Sequence, residues 1–201
     1  MDLIMESVKK IEEMLENCGC EEGDVLLESN PDIVLCQYER GACMVASFGG
    51  KTAEFVTDNP VRARTKISFM FGAPLDTPKT RSAAGSILNV LSGFFSLTRI
   101  QHACPVTAHP SCFERLNNEI DGEKIYCVGD MRPIAAAYGK YIVKSPEEAD
   151  IIIFNGDGII DPSAGDLMTS FKNSKRVICV GPSASGIARI NQIEHFCPYG
   201  T

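Results

Sequence analysis

The stretch Asp150-Ile-Ile-Ile-Phe-Asn-Gly-Asp-Gly158 decides the fold of the second half of this chain. Its four consecutive apolar residues predict a strand that is buried on both faces, and the Asn-Gly-Asp-Gly run predicts the turn that ends it. Two similar stretches flank it, Lys124-Ile-Tyr-Cys-Val128 and Arg176-Val-Ile-Cys-Val180, and each runs into a glycine. Fully apolar strands separated by helix-length segments are typical of a parallel sheet covered on both faces.

The first half of the chain has a different pattern. Ile4, Val8, Ile11 and Leu15 recur at helical spacing and predict a helix over 3–17. A long helix is predicted over 80–97 and another over 110–120, with Pro110 in its first turn. Between the first two helices, short β-rich runs separated by glycine turns favour antiparallel hairpins; these runs are 25–28, 33–38, 43–48, 53–56 and 67–71.

The predicted fold class is therefore α/β in two parts. Residues 1–121 form an N-terminal α+β domain of antiparallel strands and helices. Residues 122–201 form a small Rossmann-like parallel sheet with helices near 133–138 and 162–171 and a short strand at 141–143. The boundary falls at Asp121-Gly122.

Composition excludes several classes of protein. The net charge of −7 argues against nucleic acid and anionic membranes as partners, because phosphate contacts need clustered Lys and Arg. The amphipathic N-terminus lacks the apolar core of a signal peptide, and the apolar stretch 83–97 is too short and too polar to span a bilayer. We expect a soluble, cytoplasmic protein.

Nine cysteines are a high and odd number, which argues against a disulfide framework. Four of them lie in apolar, strand-like runs and are expected to be buried and reduced: Cys36, Cys43, Cys127 and Cys179. The other five are expected to be exposed: Cys18, Cys20, Cys104, Cys112 and Cys197. This number of exposed thiols favours a reducing, anaerobic cytosol.

Polar, glycine-containing loops follow the strands of the second half. Ligands of open parallel sheets bind in the crevice at the carboxyl ends of the strands, so these loops predict a ligand site. Backbone N–H groups after the last apolar strand favour an anion, although turns and helix caps use the same residue types. The predicted ligand-binding residues are Asp130, Asn155, Gly156, Asp157, Gly181, Pro182, Ser183 and Ser185. The glycine fingerprint of a standard NAD site is absent.

The long helix carries small and polar residues at three- or four-residue spacing from Ser82 to Ser96. Such a stripe permits close packing against a sheet, or against a ligand. Arg81 could hold an anion at the helix start, and Asn89, an amide among apolar residues, needs partners. Both residues are candidates for the same crevice.

The stretch His102-Ala-Cys-Pro-Val-Thr-Ala-His-Pro-Ser-Cys112 concentrates soft metal ligands in a stiff loop. Imidazole and thiolate are the usual ligands of zinc and iron. The predicted metal ligands are His102, Cys104, His109 and Cys112, with Cys197 as a rival to His102. The spacing matches no standard zinc-finger or ferredoxin motif, so packed thiols with capping histidines, or a Cys–His nucleophile pair, remain alternatives.

The run Arg81-Ser-Ala-Ala-Gly-Ser-Ile-Leu-Asn-Val90, with Asn155-Gly-Asp-Gly158 and Gly181-Pro-Ser-Ala184, resembles a prokaryotic family labelled for heavy-metal chelation. That family joins an enolase-N-terminus-like domain to a Rossmann-like domain, and the likeness covers most of the chain. The resemblance implies a metal or ligand site between the domains. The segment 102–112 does not match the family motif, but it lies beside the predicted junction.

Three hypotheses follow for the function. The first is binding of a metal ion, zinc or iron, or of a small anionic or metal-containing ligand in the interdomain cleft. The second is an enzyme for a small anionic substrate, with Asp130 or Asp157 as base. The third is a non-catalytic partner subunit, and a homo-oligomer is left open.

Overall fold

The structure, a computed structural model, describes residues 2–201, and two four-stranded sheets organise that part of the chain. The first sheet is antiparallel in the order β3-β2-β1-β4, with β1 at Asp24–Ser29, β2 at Ala42–Phe48, β3 at Lys51–Thr57 and β4 at Ala63–Lys66. The second is parallel in the order β5-β6-β7-β8, with β5 at Ile125–Val128, β6 at Ile151–Phe154, β7 at Arg176–Val180 and β8 at Glu194–Phe196.

Seven α-helices surround these sheets within residues 2–201. They are α1 Leu3–Leu15, α2 Pro78–Phe94, α3 His109–Ile120, α4 Arg132–Ala137, α5 Gly156–Ile159, α6 Ala164–Phe171 and α7 Ser185–Ile190. Side chains start the two long helices of the first half: Asp2 accepts from the Ile4 N–H, and Thr77 forms a capping box with Thr80. None of the helices in this range has the length and apolar character needed to cross a membrane.

The two-part α/β fold predicted from the sequence is confirmed. The three apolar strands of the second half lie parallel and adjacent, with Ile125 opposite Ile151 and Ile151 opposite Arg176. β6 is buried along its whole length, as a central strand covered on both faces should be.

Three sequence predictions of local structure are wrong. Segment 33–38 is a loop, because β1 pairs directly with β2 and leaves 30–41 as their connection. Segment 67–71 begins with a 3-10 helix, and the strand that pairs with β1 is β4, just before it. Segment 141–143 makes only an isolated bridge between Ile142 and Ile125.

The core joins the two halves of the chain. The predicted apolar face of α1 is buried, and it shares one hydrophobic cluster with α2, β3, β6 and α7. A second cluster lies on the other side of the parallel sheet, where Cys112, Leu116 and Ile120 of α3 pack with Ile125 and Ile153. Helix α2 therefore links the antiparallel sheet to the parallel one, together with direct contacts from β3.

Candidate functional site

Asn89 of α2 connects both halves at the crevice where β5–β7 end. Its side-chain amide donates to the carbonyl oxygens of Glu54 at 2.9 Å and Pro182 at 3.1 Å. Its carbonyl oxygen accepts from the Ser185 hydroxyl at 3.1 Å and the Gly186 N–H at 2.8 Å. Asn89 is 1% exposed, so all four bonds are made out of water. The sequence correctly indicated an amide that needs partners, and the partners are protein groups.

Glu39 occupies the place predicted for an anion. The Ser183 N–H donates to Glu39 Oε1 at 3.1 Å, while the Ser183 hydroxyl accepts from the Val56 N–H at 2.8 Å. Gly181, with a φ of 83°, permits this approach because a Cβ there would lie 2.6 Å from Glu39 Oε1. The other carboxyl oxygen, Oε2, is buried with no hydrogen-bond partner. A carboxyl group of the protein itself thus faces the Gly181–Ser185 backbone.

Asn155 organises the end of β6. It caps α5 by accepting from the Gly158 N–H at 2.9 Å, and its amide donates to the backbone oxygens of Asp130 at 3.0 Å and Tyr38 at 3.4 Å. Gly156 packs against Ser183, since a Cβ on Gly156 would lie 2.4 Å from the Ser183 Cβ. The predicted crevice residues do meet at one edge, and loop 30–41 covers them.

The side chain of Arg81 is held by contacts within the protein. Its guanidinium pairs with Asp2 at 2.5 Å and donates to the backbone oxygens of Leu75, at 3.1 Å, and Ile160. The side chain is only 4% exposed, so its charge is largely committed to these partners. Arg81 is therefore not free to serve as the principal anion ligand.

A pocket of about 360 Å³ remains open beside this crevice, between the β3–β4 loop, the start of α2 and the α5–α6 segment. Asp157 lies in its wall and accepts from the Asp58 N–H at 3.0 Å. Burial raises the pKa of the Asp157 carboxyl. The pocket is lined by four aspartates, Asp58, Asp76, Asp157 and Asp161. The one cationic group among its lining residues is the guanidinium of Arg81, which is already paired with Asp2. This balance of charge favours cations over anions.

The predicted metal ligands separate into two groups. Both ring nitrogens of His102 are engaged, Nδ1 with Glu54 Oε1 at 3.2 Å and Nε2 with the Thr52 hydroxyl at 3.3 Å. Cys104 and Cys112 are instead buried, and burial, with a smaller contribution from Cys112, raises the pKa of Cys104. His109 Nε2 is buried without a partner at the start of α3. The ring of His102 is therefore occupied by contacts within the protein, whereas His109 Nε2 has no hydrogen-bond partner.

Two further cysteines approach Cys104 and Cys112. Cys197 interacts electrostatically with both, and Cys36 with Cys112 and Cys197. We call these four residues the thiol cluster. The C-terminal tail brings in Cys197 because the Thr201 carbonyl accepts the Gln101 and His102 N–H groups at 2.6 and 2.7 Å.

Cys36 enters the thiol cluster from loop 30–41. The Gln37 amide donates to the His109 carbonyl at 2.9 Å, and the Tyr38 hydroxyl contacts Cys112 Sγ at 3.6 Å. The loop is thereby fixed against the start of α3. Cys36 was predicted as a core strand residue, and its place beside Cys112 has no signal in local spacing.

Burial of the thiols differs from the sequence prediction. Cys104, Cys112 and Cys197 are buried, although they were expected to be exposed, and Cys127 is partly exposed, although it was expected to be buried. Cys36, Cys43 and Cys179 are buried as predicted, and all nine cysteines are free thiols. Burial raises the pKa of Cys104 and raises that of Cys197 to about 12, with Glu39 adding to the effect at Cys197.

The thiol cluster is not a preformed coordination shell. Across residues 2–201, no three His, Cys, Asp or Glu side chains converge closely enough to hold a metal ion as they stand. Four thiols from three chain segments nevertheless share one buried region, with His109 Nε2 and Glu39 Oε2 still lacking partners. The donor types suit a soft metal, and coordination would need side-chain rotation.

Glu39 should make the stability of the metal-free protein depend on pH. Burial raises its pKa to about 8, opposed by the Ser183 bonds and assisted by the charges of Glu54 and Asp157. Because the unfolded pKa is about 4.3, folded Glu39 holds a proton that the unfolded chain releases, so stability falls as pH rises from about 4.3 to 8.

Glu39→Gln should remove this contribution. We expect the free energy of unfolding of the variant, relative to the natural protein, to rise by more than about 1 kcal/mol between pH 5 and pH 8. Urea denaturation followed by circular dichroism at each pH measures it. Parallel pH profiles for the two proteins would contradict the assignment.

Comparison with known proteins shows the fold and no activity. No protein-family model matches the sequence, and no curated protein matches it. A solved structure from Pyrococcus horikoshii, a DUF364-family protein of unknown function, is 14% identical over 90% of this chain and 80% of that chain, with a TM-score of 0.51. The two proteins share a fold.

A second solved structure is similar. It is a DUF364-family protein of unknown function from Desulfitobacterium hafniense, 15% identical over 89% of this chain and 80% of that chain, with a TM-score of 0.49. These structural neighbours are uncharacterised prokaryotic proteins. Neither comparison bears on heavy-metal chelation, which stays an implication of the sequence resemblance.

Proposed function

We propose that this protein binds a thiophilic metal ion, zinc or iron, at the thiol cluster between its two halves. The observation that carries the proposal is the convergence of Cys36, Cys104, Cys112 and Cys197 from three segments of the chain into one buried region. Reduced, buried cysteines are usually scattered through a core as small hydrophobes. Four together form the donor set of a structural zinc or iron–thiolate site.

The surroundings of the cluster support the same function. Cys36 comes from loop 30–41 and Cys197 from the C-terminal tail, and both of these segments lie outside the central strands. Their side chains can turn toward a metal without disturbing the paired strands of either sheet. His109 Nε2 and Glu39 Oε2 are buried polar atoms without partners, and such atoms are costly unless they have a ligand or a proton to satisfy them.

Proton competition gives the proposed site a defined pH dependence. Cysteine binds metal as thiolate, and burial raises the pKa of Cys36, Cys104 and Cys197. A metal ion must therefore displace protons from these thiols, and its affinity should increase with pH across the neutral range. A site built only on carboxylates that are already ionised would show little change in affinity over the same range, because it has no protons to displace.

Cobalt(II) titration under anaerobic conditions tests the proposal. The Cys18→Ser/Cys20→Ser variant removes the exposed thiol pair and serves as the background. We expect one equivalent of cobalt to produce a sulfur-to-metal charge-transfer band, and the affinity to increase from pH 6.5 to pH 8. Stoichiometric cobalt without that band, or no binding at all, would contradict metal binding by the cluster.

A further inference from the structure

Cys18 and Cys20 form a second thiol pair, outside the proposed metal site. They follow α1 on either side of Gly19, whose φ of 74° turns the chain back on itself. The Cys20 N–H donates to Cys18 Sγ at 3.2 Å, so the two residues are held together within one turn. Cys18 is exposed and Cys20 partly exposed, so solvent and small molecules reach the pair.

We propose that Cys18 and Cys20 form a thiol–disulfide exchange site for small disulfides, with Cys18 as the attacking thiol and Cys20 as the resolving thiol. The structure places the two thiols on one turn, on either side of Gly19, with the Cys20 N–H on Cys18 Sγ. Exchange proceeds through a mixed disulfide, and a neighbouring thiol within contact distance resolves it rapidly.

The two steps balance in atoms and electrons. The Cys18 thiolate attacks one sulfur of the small disulfide, forms a mixed disulfide and releases one thiolate. Cys20 then loses its proton and attacks the Cys18 sulfur, which closes the Cys18–Cys20 bond and releases the second thiolate. The two protons lost by the protein end on the two small thiols, so the small disulfide is reduced as the protein dithiol is oxidised.

The local contacts assign the two roles. The Cys18 sulfur accepts from the Cys20 N–H at 3.2 Å, and Cys18 is the more exposed of the two residues, so an incoming disulfide meets Cys18 first. The hydrogen bond to Cys18 raises the pKa of Cys20, which therefore keeps its proton during the first step. The Cys18 thiol donates to Glu21 Oε2 at 3.9 Å, and because the thiolate is the attacking species, exchange should become faster as pH rises.

Loop size indicates that the oxidised form is readily reduced. A disulfide between residues separated by a single glycine closes a very small ring, and departures from relaxed disulfide geometry make the bond more reducible. Excess small dithiol should therefore restore the reduced pair. Six other thiols are buried, including the whole thiol cluster, so a polar disulfide should reach Cys18 first.

Mass spectrometry after exposure to hydroxyethyl disulfide without oxygen tests the site. We expect the natural protein to lose two hydrogens at Cys18–Cys20 with no lasting adduct. Cys20→Ser should retain a mixed disulfide on Cys18, and Cys18→Ser should react at least tenfold more slowly at this segment. Cys127→Ser, which removes a partly exposed thiol elsewhere, is the matched control and should behave as the natural protein.

Two outcomes would overturn the assignment. One is a lasting adduct on the natural protein, which would show that Cys20 does not resolve the intermediate. The other is two-hydrogen loss in the Cys18→Ser/Cys20→Ser variant at the natural rate. Either result is independent of metal binding, because the cobalt titration uses a background that lacks this pair.

Discussion

Asn89→Asp is expected to lower the free energy of unfolding by roughly 4 kcal/mol, because it leaves a buried charge without compensation. The natural amide donates to the carbonyl oxygens of Glu54 and Pro182. A carboxylate would instead place negative charge against both oxygens in a site that is 1% exposed. Urea denaturation, followed by far-ultraviolet circular dichroism, measures the change.

Ser86→Ala is the matched control on the same helix. Ser86 is fully buried one turn before Asn89, and its hydroxyl has no hydrogen-bond partner. Removing an unpartnered buried hydroxyl should be neutral or stabilising. If Asn89→Asp were within about 1 kcal/mol of the natural protein, α2 would not be the hydrogen-bonded link between the two halves.

Cys112→Ser, made in the background that lacks Cys18 and Cys20, is expected to weaken cobalt binding at least tenfold. Cys112 and Cys197 each interact electrostatically with all three other members of the thiol cluster, so the loss of Cys112 should affect any arrangement of the metal among them. Adding Cys197→Ser should abolish the charge-transfer band. Affinity from the anaerobic titration measures both effects.

Cys179→Ser is the control for thiol loss in general. Cys179 is as deeply buried as the cluster but lies in β7, paired in register with Phe154 and His195. The Cys179→Ser substitution should change the stability of the protein without changing the stoichiometry or the spectrum of bound cobalt. Equal loss of binding in the Cys179 and Cys112 variants would mean that the effect comes from disturbed packing.

The fold was predictable because its signals are local. The apolar run Ile151–Phe154 identifies a central strand by itself, and Ile4, Val8 and Ile11 define one face of α1 by spacing alone. Segment 33–38 misled the prediction because its apolar run has no strand partner: Cys36 and Tyr38 are buried, whereas Val34 is exposed. The burial of a loop residue depends on the elements that the loop packs against, and the neighbouring residues in the sequence do not identify those elements.

The candidate site was predictable only in part, for the same reason. Cys104, His109 and Cys112 are close in sequence, and their density indicated soft-metal chemistry. His102 belongs to the same run, yet Glu54 and Thr52, about fifty residues away, engage its ring. Cys36 joins through tertiary contacts of loop 30–41. Glu39, which faces Ser183 across 144 positions of sequence, gave no local signal at all.

X-ray absorption at the metal edge of anaerobically loaded protein tests metal binding by the thiol cluster most directly, because it counts the sulfur neighbours of the ion. For zinc in the background that lacks Cys18 and Cys20, we predict a first shell dominated by sulfur at about 2.3 Å, with at most one lighter ligand at about 2.0 Å. A shell of nitrogen and oxygen alone at about 2.0–2.2 Å would contradict the proposal and would place the metal elsewhere on the protein.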